Sequence, residues 1–454
     1  MINKQIQRDT AILYTCGVCN LNCHYCQIDK NPILHDIDKA LEESFKGDYY
    51  FNRIKEYFPR RDQLMRVETW GGEPFLHMDR IYPLVHQLIG YYPYFEQMFS
   101  STNFSYDGWV DQFFGLMDCF AAYPYRKFQY TLQLSVDGPE YMNDRSRGIG
   151  VTQKCLRNYR KLVDALDDGR LAENIELSIV TKGTLDNISI QDLLTKEAII
   201  NYYQFIEDNY ITPITLLNRP NIYITPCIPN TAVPSPVTQQ DGKDFALLCK
   251  LCREIEQENE MQHYFKFYTI ITPFDTRFEE NALSYYYGSH NCGTGKNMIG
   301  FLPNNMISTC HEGFVQFVGK YKEMAAQRDI TNSVITFDNF INEQKVPMCT
   351  DDDGYTEHER KMSMYNPNSS ARLVSATVMI IALAMAEEID RAYLDEVNAL
   401  KAAIFVQQHT AFCLKDNYNQ TGSFAMQPVG LYKLLLNGAL QEIQGEGGLK
   451  IETF

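Results

Sequence analysis

The sequence has no apolar run long enough to span a bilayer. Its longest, Leu373 to Ala386, is interrupted by Ser375 and Thr377. That is shorter than the roughly 20 residues of a membrane helix, so it reads as a buried helix and no membrane partner is expected. The opening MINKQIQRDT is polar and leads into a strand-like run without the pattern of a secretory signal, so a cytoplasmic location is expected. Basic charge is scarce: 41 Lys and Arg face 57 Asp and Glu, a formal net charge of −16. A chain with that balance is a poor nucleic-acid binder, because phosphate binding needs a basic face. Two local basic groups remain, Arg60, Arg61 and Arg66, and Arg126 with Lys127. Each reads either as a dock for an acidic partner or as solvated surface. No internal repeat or low-complexity tract is visible.

Cysteine, by contrast, is plentiful. There are 13 in 454 residues. Without a secretory signal they read as reduced thiols and metal ligands more readily than as disulfides. Four of them fall between Cys16 and Cys26. The length favours two or three domains, and 45% apolar residues suit a globular chain.

Runs rich in β-branched and aromatic residues predict strands at Ala11–Thr15, Arg66–Trp70, Gln97–Ser101, Tyr130–Val136, Ile175–Thr181 and Asn221–Thr225. Helical patterns such as Asp79–Leu88 and Gln153–Leu166 fill the gaps. Alternating strands and helices predict an α/β fold with a parallel sheet, of the partial (β/α)6 TIM-like barrel kind. Reactive groups on such folds follow the carboxyl ends of strands. The cysteine cluster follows the first strand, Gly71-Gly72-Glu73-Pro74 the second, and Thr102-Asn103 the third. Ser135-Val136-Asp137-Gly138 ends the fourth.

The character changes near residue 228, where Pro226, Pro229, Pro234 and Pro236 mark a connector. A polar helix, Asp241 to Glu260, is expected next. A hairpin is expected beyond it, with strands Met298–Leu302 and Met306–Thr309 around Pro303-Asn304-Asn305. The pattern from Ala371 onward is helical. Three units are therefore expected: a core over 1–228, a small α+β region over 229–360, and a helical C-terminal extension over 361–454.

Cys19-Asn20-Leu21-Asn22-Cys23-His24-Tyr25-Cys26 carries three thiols on one short loop. Iron–sulfur clusters normally take four thiolates, so three leave one iron of a cubane open to an outside ligand. A zinc knuckle is the alternative, with Cys16 or His24 as the fourth ligand. Cys16 otherwise reads as a small buried side chain.

This spacing, with Tyr25 before the last cysteine, resembles the signature of radical SAM enzymes. The resemblance extends through Gly71-Gly72-Glu73-Pro74 and Ser135 to Arg147, and covers roughly the first 230 residues. It implies a [4Fe–4S] cluster on Cys19, Cys23 and Cys26, with S-adenosylmethionine on the open iron. It implies further that Gly71, Gly72 and Glu73 hold the methionine amino group, and that Ser135 and Asp137 meet the ribose. Arg147 would meet the carboxylate, and Tyr25 would lie near the adenine. Other readings stay open: Glu73 as a helix cap, Asp137-Gly138 as a turn, and Arg145 in place of Arg147.

The stretch from Asn291-Cys292 to Cys310-His311 resembles the start of a SPASM or twitch extension. That implies one auxiliary Fe–S cluster with Cys292, Cys310 and Cys349 among its ligands, and His311 as a catalytic proton acceptor. The dense run of further cysteines in the full SPASM pattern is missing, and Asn305 stands where a turn glycine is usual. The expected substrate is a peptide or protein, with a flavodoxin or ferredoxin as reductant. Activation of another enzyme by side-chain oxidation, small-molecule chemistry and a non-catalytic Fe–S or zinc protein remain alternatives.

Overall fold

A computed structural model describes residues 9–26, 33–225, 298–303 and 307–308, with a few isolated positions beyond. Seven strands run parallel in one sheet: β1 (Thr10–Cys16), β2 (Arg66–Gly71), β3 (Gln97–Thr102), β4 (Phe128–Ser135), β5 (Ile175–Lys182), β6 (Ile222–Thr225) and β7 (Met298–Phe301). An antiparallel strand, β8 (Ile307–Ser308), continues the edge beyond β7. The order across the sheet is β8-β7-β1-β2-β3-β4-β5-β6. All six strands expected from the sequence are present. The hairpin residues Met298–Phe301 also join this sheet, pairing in parallel with β1 from Thr10↔Met298 onward. Among the described residues no pairing joins β6 to β7 or β8.

Burial explains the strand sequences. β1, Thr-Ala-Ile-Leu-Tyr-Thr-Cys, is buried at every position, as a strand covered on both faces must be. β4 and β5 alternate between buried and more exposed positions. The helices α1 (Ile33–Phe45), α2 (Tyr49–Tyr57), α3 (Tyr82–Tyr91), α4 (Trp109–Ala121), α5 (Glu140–Arg147), α6 (Val151–Asp167), α7 (Asn187–Asp192) and α8 (Lys196–Ile206) pack around it. α6 buries Val151, Cys155, Tyr159, Leu162 and Leu166, one stripe at helical spacing. In α4, Trp109 stacks on Phe113 and its indole N–H donates to Thr102 Oγ1 at 3.0 Å. The helix expected at Asp79–Leu88 divides in two: a 3₁₀ turn over Met78–Ile81, then α3 with Pro83 in its first turn.

Arg126, read from the sequence as a docking or solvated group, instead serves the fold. Its guanidinium donates to the carbonyls of Ile89, Tyr92, Pro93 and Phe95. It thereby satisfies the carbonyls left free where α3 ends and the chain turns into β3. Cys249 and Cys252, spaced i, i+3, read from the sequence as core or partly buried helix residues; Cys252 is buried, and Cys249 lies outside the described residues. Among the described residues no helix is long and apolar enough to cross a membrane.

Parallel strands put all their carboxyl ends on one edge of the sheet. The segments after Cys16, Gly71, Thr102, Ser135 and Lys182 therefore meet there, although up to 166 positions separate them in the chain.

Candidate functional site

The loop after β1 carries Cys19, Cys23 and Cys26, all partly exposed. The turn is closed by the Cys26 N–H donating to the Cys23 carbonyl at 3.0 Å. Burial pushes the Cys23 thiol up to about 12, against the pull of the Arg147 charge; Cys26 and Cys19 are near enough to push the same way. Such a thiol ionises at neutral pH only against a cation, which is how a thiolate ligand behaves toward a metal.

The neighbouring loop closes on this one through backbone. Gly72 N–H donates to Cys16 O and Glu73 N–H to Val18 O, each at 2.9 Å. Gly71 holds φ +137°, and a Cβ there would lie 2.2 Å from Cys16 O. A Cβ on Gly72 would lie 2.1 Å from Val18 O. Only glycine permits this approach.

Glu73 is buried. Its Oε1 accepts from Thr102 Oγ1 at 2.6 Å and from Phe75 N–H at 3.1 Å, and its Oε2 from Asn103 N–H at 2.7 Å. It therefore caps the 3₁₀ turn Pro74–Leu76 and ties the loop after β2 to the loop after β3. Burial raises its carboxyl to about 7, and these three donors oppose the rise.

A second network gathers Asp137, Arg147 and Tyr25. Arg147 donates from Nε to Asp137 Oδ2 and from Nη2 to Oδ1, both at 2.8 Å. Tyr25 Oη donates to Asp137 Oδ2 at 2.6 Å, and Thr184 N–H to Oδ1 at 2.8 Å. The guanidinium also lies 5.7 Å from the Tyr25 ring centroid, over its face. Tyr25 thus bridges the cysteine loop to the end of β4. Ser135, the last residue of β4, is half-buried beside them and pairs in register with Lys182. Arg145 points away and bonds Asp192 at 2.6 Å on the partly exposed side of α7. Of the two arginines, Arg147 is the one at the site.

Three further residues complete the arrangement: Asp186, to which the sequence gives no role, His24, which it offers only as an alternative zinc ligand, and Asn103, which it marks only by its place after the third strand. His24 pairs through Nε2 with Asp186, while its Nδ1 lies 3.2 Å from Ser146 O. Asp186 also caps α7, accepting from Ser189 N–H at 2.6 Å, and its place before a helical pattern was the available signal. Asn103 donates from Nδ2 to Cys19 Sγ at 3.4 Å and to Asn20 Oδ1 at 3.0 Å.

Cys16, Asp38 and His77 form another group, with candidate ligand atoms within 4.8 Å of one another. Asp38 is already committed there: Oδ1 accepts from Gly17 N–H and Arg80 Nη1, and Oδ2 from Arg80 Nη2. A guanidinium against that carboxylate opposes a second cation. Cys16 is fully buried, donates to Val18 O at 3.2 Å, and has its thiol raised far beyond the usual range by burial. Cys16 and His24, the two candidates for the fourth ligand of a zinc knuckle, are thus both engaged elsewhere. Cys292, Cys310, Cys349 and His311 lie outside the described residues.

The thiols of the loop at Cys19, Cys23 and Cys26 suit an iron–sulfur group. The donors are all sulfur, the loop is held by backbone bonds, and a side-chain amide is directed at one of the sulfurs.

No protein-family model matches the sequence, and none of the curated proteins is similar to it at a significant level. Solved structures resemble it over part or most of their length. The crystal structure of Streptococcus suis SuiB aligns with a TM-score of 0.38 and 15% identity, covering 67% of this chain and 60% of that one. Native anSMEcpe with bound AdoMet aligns with a TM-score of 0.43 and 12% identity, covering 95% of this chain and 100% of that one. The same protein with bound AdoMet and Cp18Cys peptide gives a TM-score of 0.40 and 10% identity, over 96% and 99%. At this level of likeness, function has to be argued from the residues themselves.

Proposed function

We propose that this chain is a radical SAM enzyme built on a partial (β/α) barrel. It cleaves S-adenosylmethionine reductively and takes a hydrogen atom from a peptide or protein substrate. The observation that carries the reading is the junction of the three-cysteine loop with the loop after β2. Backbone bonds of 2.9 Å hold it, at two glycines that leave no room for a side chain. Cys19, Cys23 and Cys26 would hold a [4Fe–4S] cluster, which would supply the electron for reductive cleavage of S-adenosylmethionine.

The protein's own residues bind and orient. The Gly71-Gly72 backbone, packed against Cys16 and Val18, forms one wall of the site. Arg147 supplies a buried positive charge suited to a carboxylate, beside Ser135 and Asp137 at the end of β4. Glu73 lies on the same rim, with both oxygens already accepting from protein donors. Its part is therefore to fix the wall, and any pairing with an ammonium would add to those bonds. Tyr25 ties the cysteine loop to Asp137 and covers Arg147. A peptide substrate rests on the resemblance of the Ser135–Arg147 stretch and of the Cys292–Cys310 segment to peptide maturases. An auxiliary cluster on Cys292, Cys310 and Cys349, acid–base chemistry by His311 and a flavodoxin or ferredoxin donor belong to the same proposal.

The test is production of 5′-deoxyadenosine by reconstituted, reduced protein given S-adenosylmethionine. Product is expected from the wild type and none from Cys23→Ala. No product from an iron-loaded wild type would refute the reading. Iron counting on a Cys292→Ala/Cys310→Ala variant tests the auxiliary cluster, which predicts about half the wild-type iron.

A further inference from the structure

Asn103 is the residue after β3 and is only 7% exposed. Every polar atom it has is engaged. Its backbone N–H donates to Glu73 Oε2 at 2.7 Å, and its carbonyl accepts from the Cys155 thiol at 3.3 Å. Its side-chain Oδ1 accepts from Ser105 N–H at 3.0 Å and from Ser105 Oγ at 2.8 Å. A backbone N–H can only donate, so this contact settles which end of the amide is oxygen. The other end must then be the NH2 group. Its two hydrogens go to Asn20 Oδ1 and Cys19 Sγ. Asn20 in turn donates from Nδ2 to Ser105 Oγ at 2.9 Å, which closes a ring of bonds around the amide.

We propose that Asn103 is a positioning and tuning residue for the cluster, acting through a fixed N–H···S bond to Cys19. The inference rests on the cluster reading above and extends it from the ligands to the group that sets their electron density. Cys19 Sγ also receives the Leu21 N–H at 3.4 Å, so two donors converge on one ligand sulfur. Donors to a ligand sulfur withdraw charge from it. They stabilise the reduced, more negative cluster over the oxidised one, and so raise the potential at which it accepts an electron. A rotating side chain would average this effect away. The Ser105 and Asn20 bonds, with Glu73 and Cys155 holding the backbone, keep this amide in one orientation.

The test is an EPR-monitored redox titration of the reconstituted protein without S-adenosylmethionine, with iron counted in parallel. Asn103→Asp keeps the shape and the acceptor for Ser105, but replaces the NH2 group with an oxygen. Asn103→Ser removes the amide altogether. Both variants are expected to hold wild-type iron and to titrate at a more negative potential, Asn103→Asp by the larger shift. Unchanged potentials in iron-loaded variants overturn the proposal. Loss of iron from both variants also overturns it, because Asn103 would then only build the loop. A wild type that takes up no iron overturns the cluster reading itself, which is a separate outcome.

Discussion

The Asp137–Arg147 pair is the most consequential contact at the site, and its removal has a calculable cost. Asp137 is fully buried and Arg147 is 6% exposed. Asp137 accepts four hydrogen bonds, two from Arg147 and one each from Tyr25 and Thr184. Arg147→Met would leave the carboxylate buried with only two donors and no counter-charge. Breaking a buried pair by removing one partner costs roughly 3–5 kcal/mol. Asp137→Asn strands the guanidinium instead and turns an amide NH2 toward two of its former donors, with a cost in the same range. The double variant removes both charges, so its cost should fall short of the sum by about 2–3 kcal/mol. The assay is urea unfolding of the cluster-free protein, run on the two single variants and the double. A second readout follows the cysteine loop. Tyr25 lies between Cys23 and Cys26 and in Asp137→Asn competes for the one side-chain oxygen that remains, so alkylation of the loop thiols should quicken. Single variants costing under about 1 kcal/mol, or strictly additive effects, would refute the view that this pair holds the loop to β4.

Two further outcomes follow from the same geometry. Burial holds the Glu73 carboxyl at about 7, above its ordinary 4.5. The folded state therefore grips that proton more tightly than the unfolded one, and the stability this gives is complete below pH 4.5 and lost as pH rises through 7. The size is about 3 kcal/mol. Urea unfolding at a series of pH values should show that slope in the wild type and not in Glu73→Gln; equal slopes would count against the burial argument. Gly72→Ala places a methyl where Val18 O stands and should part the two loops, at roughly 1–3 kcal/mol with reduced iron uptake. Wild-type stability and iron in that variant would show that the approach is not required.

Much of this was readable without coordinates, and the exceptions have physical causes. The strands were legible because β-branched and aromatic runs bounded by turns have few other uses. Their common edge was legible because parallel pairing leaves one side for every carboxyl end. The division of Asp79–Leu88 is not legible in the sequence, because Pro83 suits the first turn of a helix as well as it interrupts a longer one. The role of Arg126 is not visible in the sequence, because four carbonyls from the α3–β3 turn converge on it only once the chain has folded. For Glu73 the sequence left two roles open, and the structure displays the capping one.

The sequence by itself determined which groups follow the strands: three thiols at fixed spacing, and two glycines where backbone must approach backbone. It also determined that these lie after successive strands, since alternation of strand and helix is a local property. Tertiary structure decided which groups pair. Arg147 and not Arg145 faces Asp137, because only one of two residues so placed on a short helix can turn inward. His24 is engaged by Asp186, a residue far from it in sequence. Asn103 reaches Cys19 across 84 positions. Such contacts depend on the register of the sheet, and no spacing along the chain encodes them.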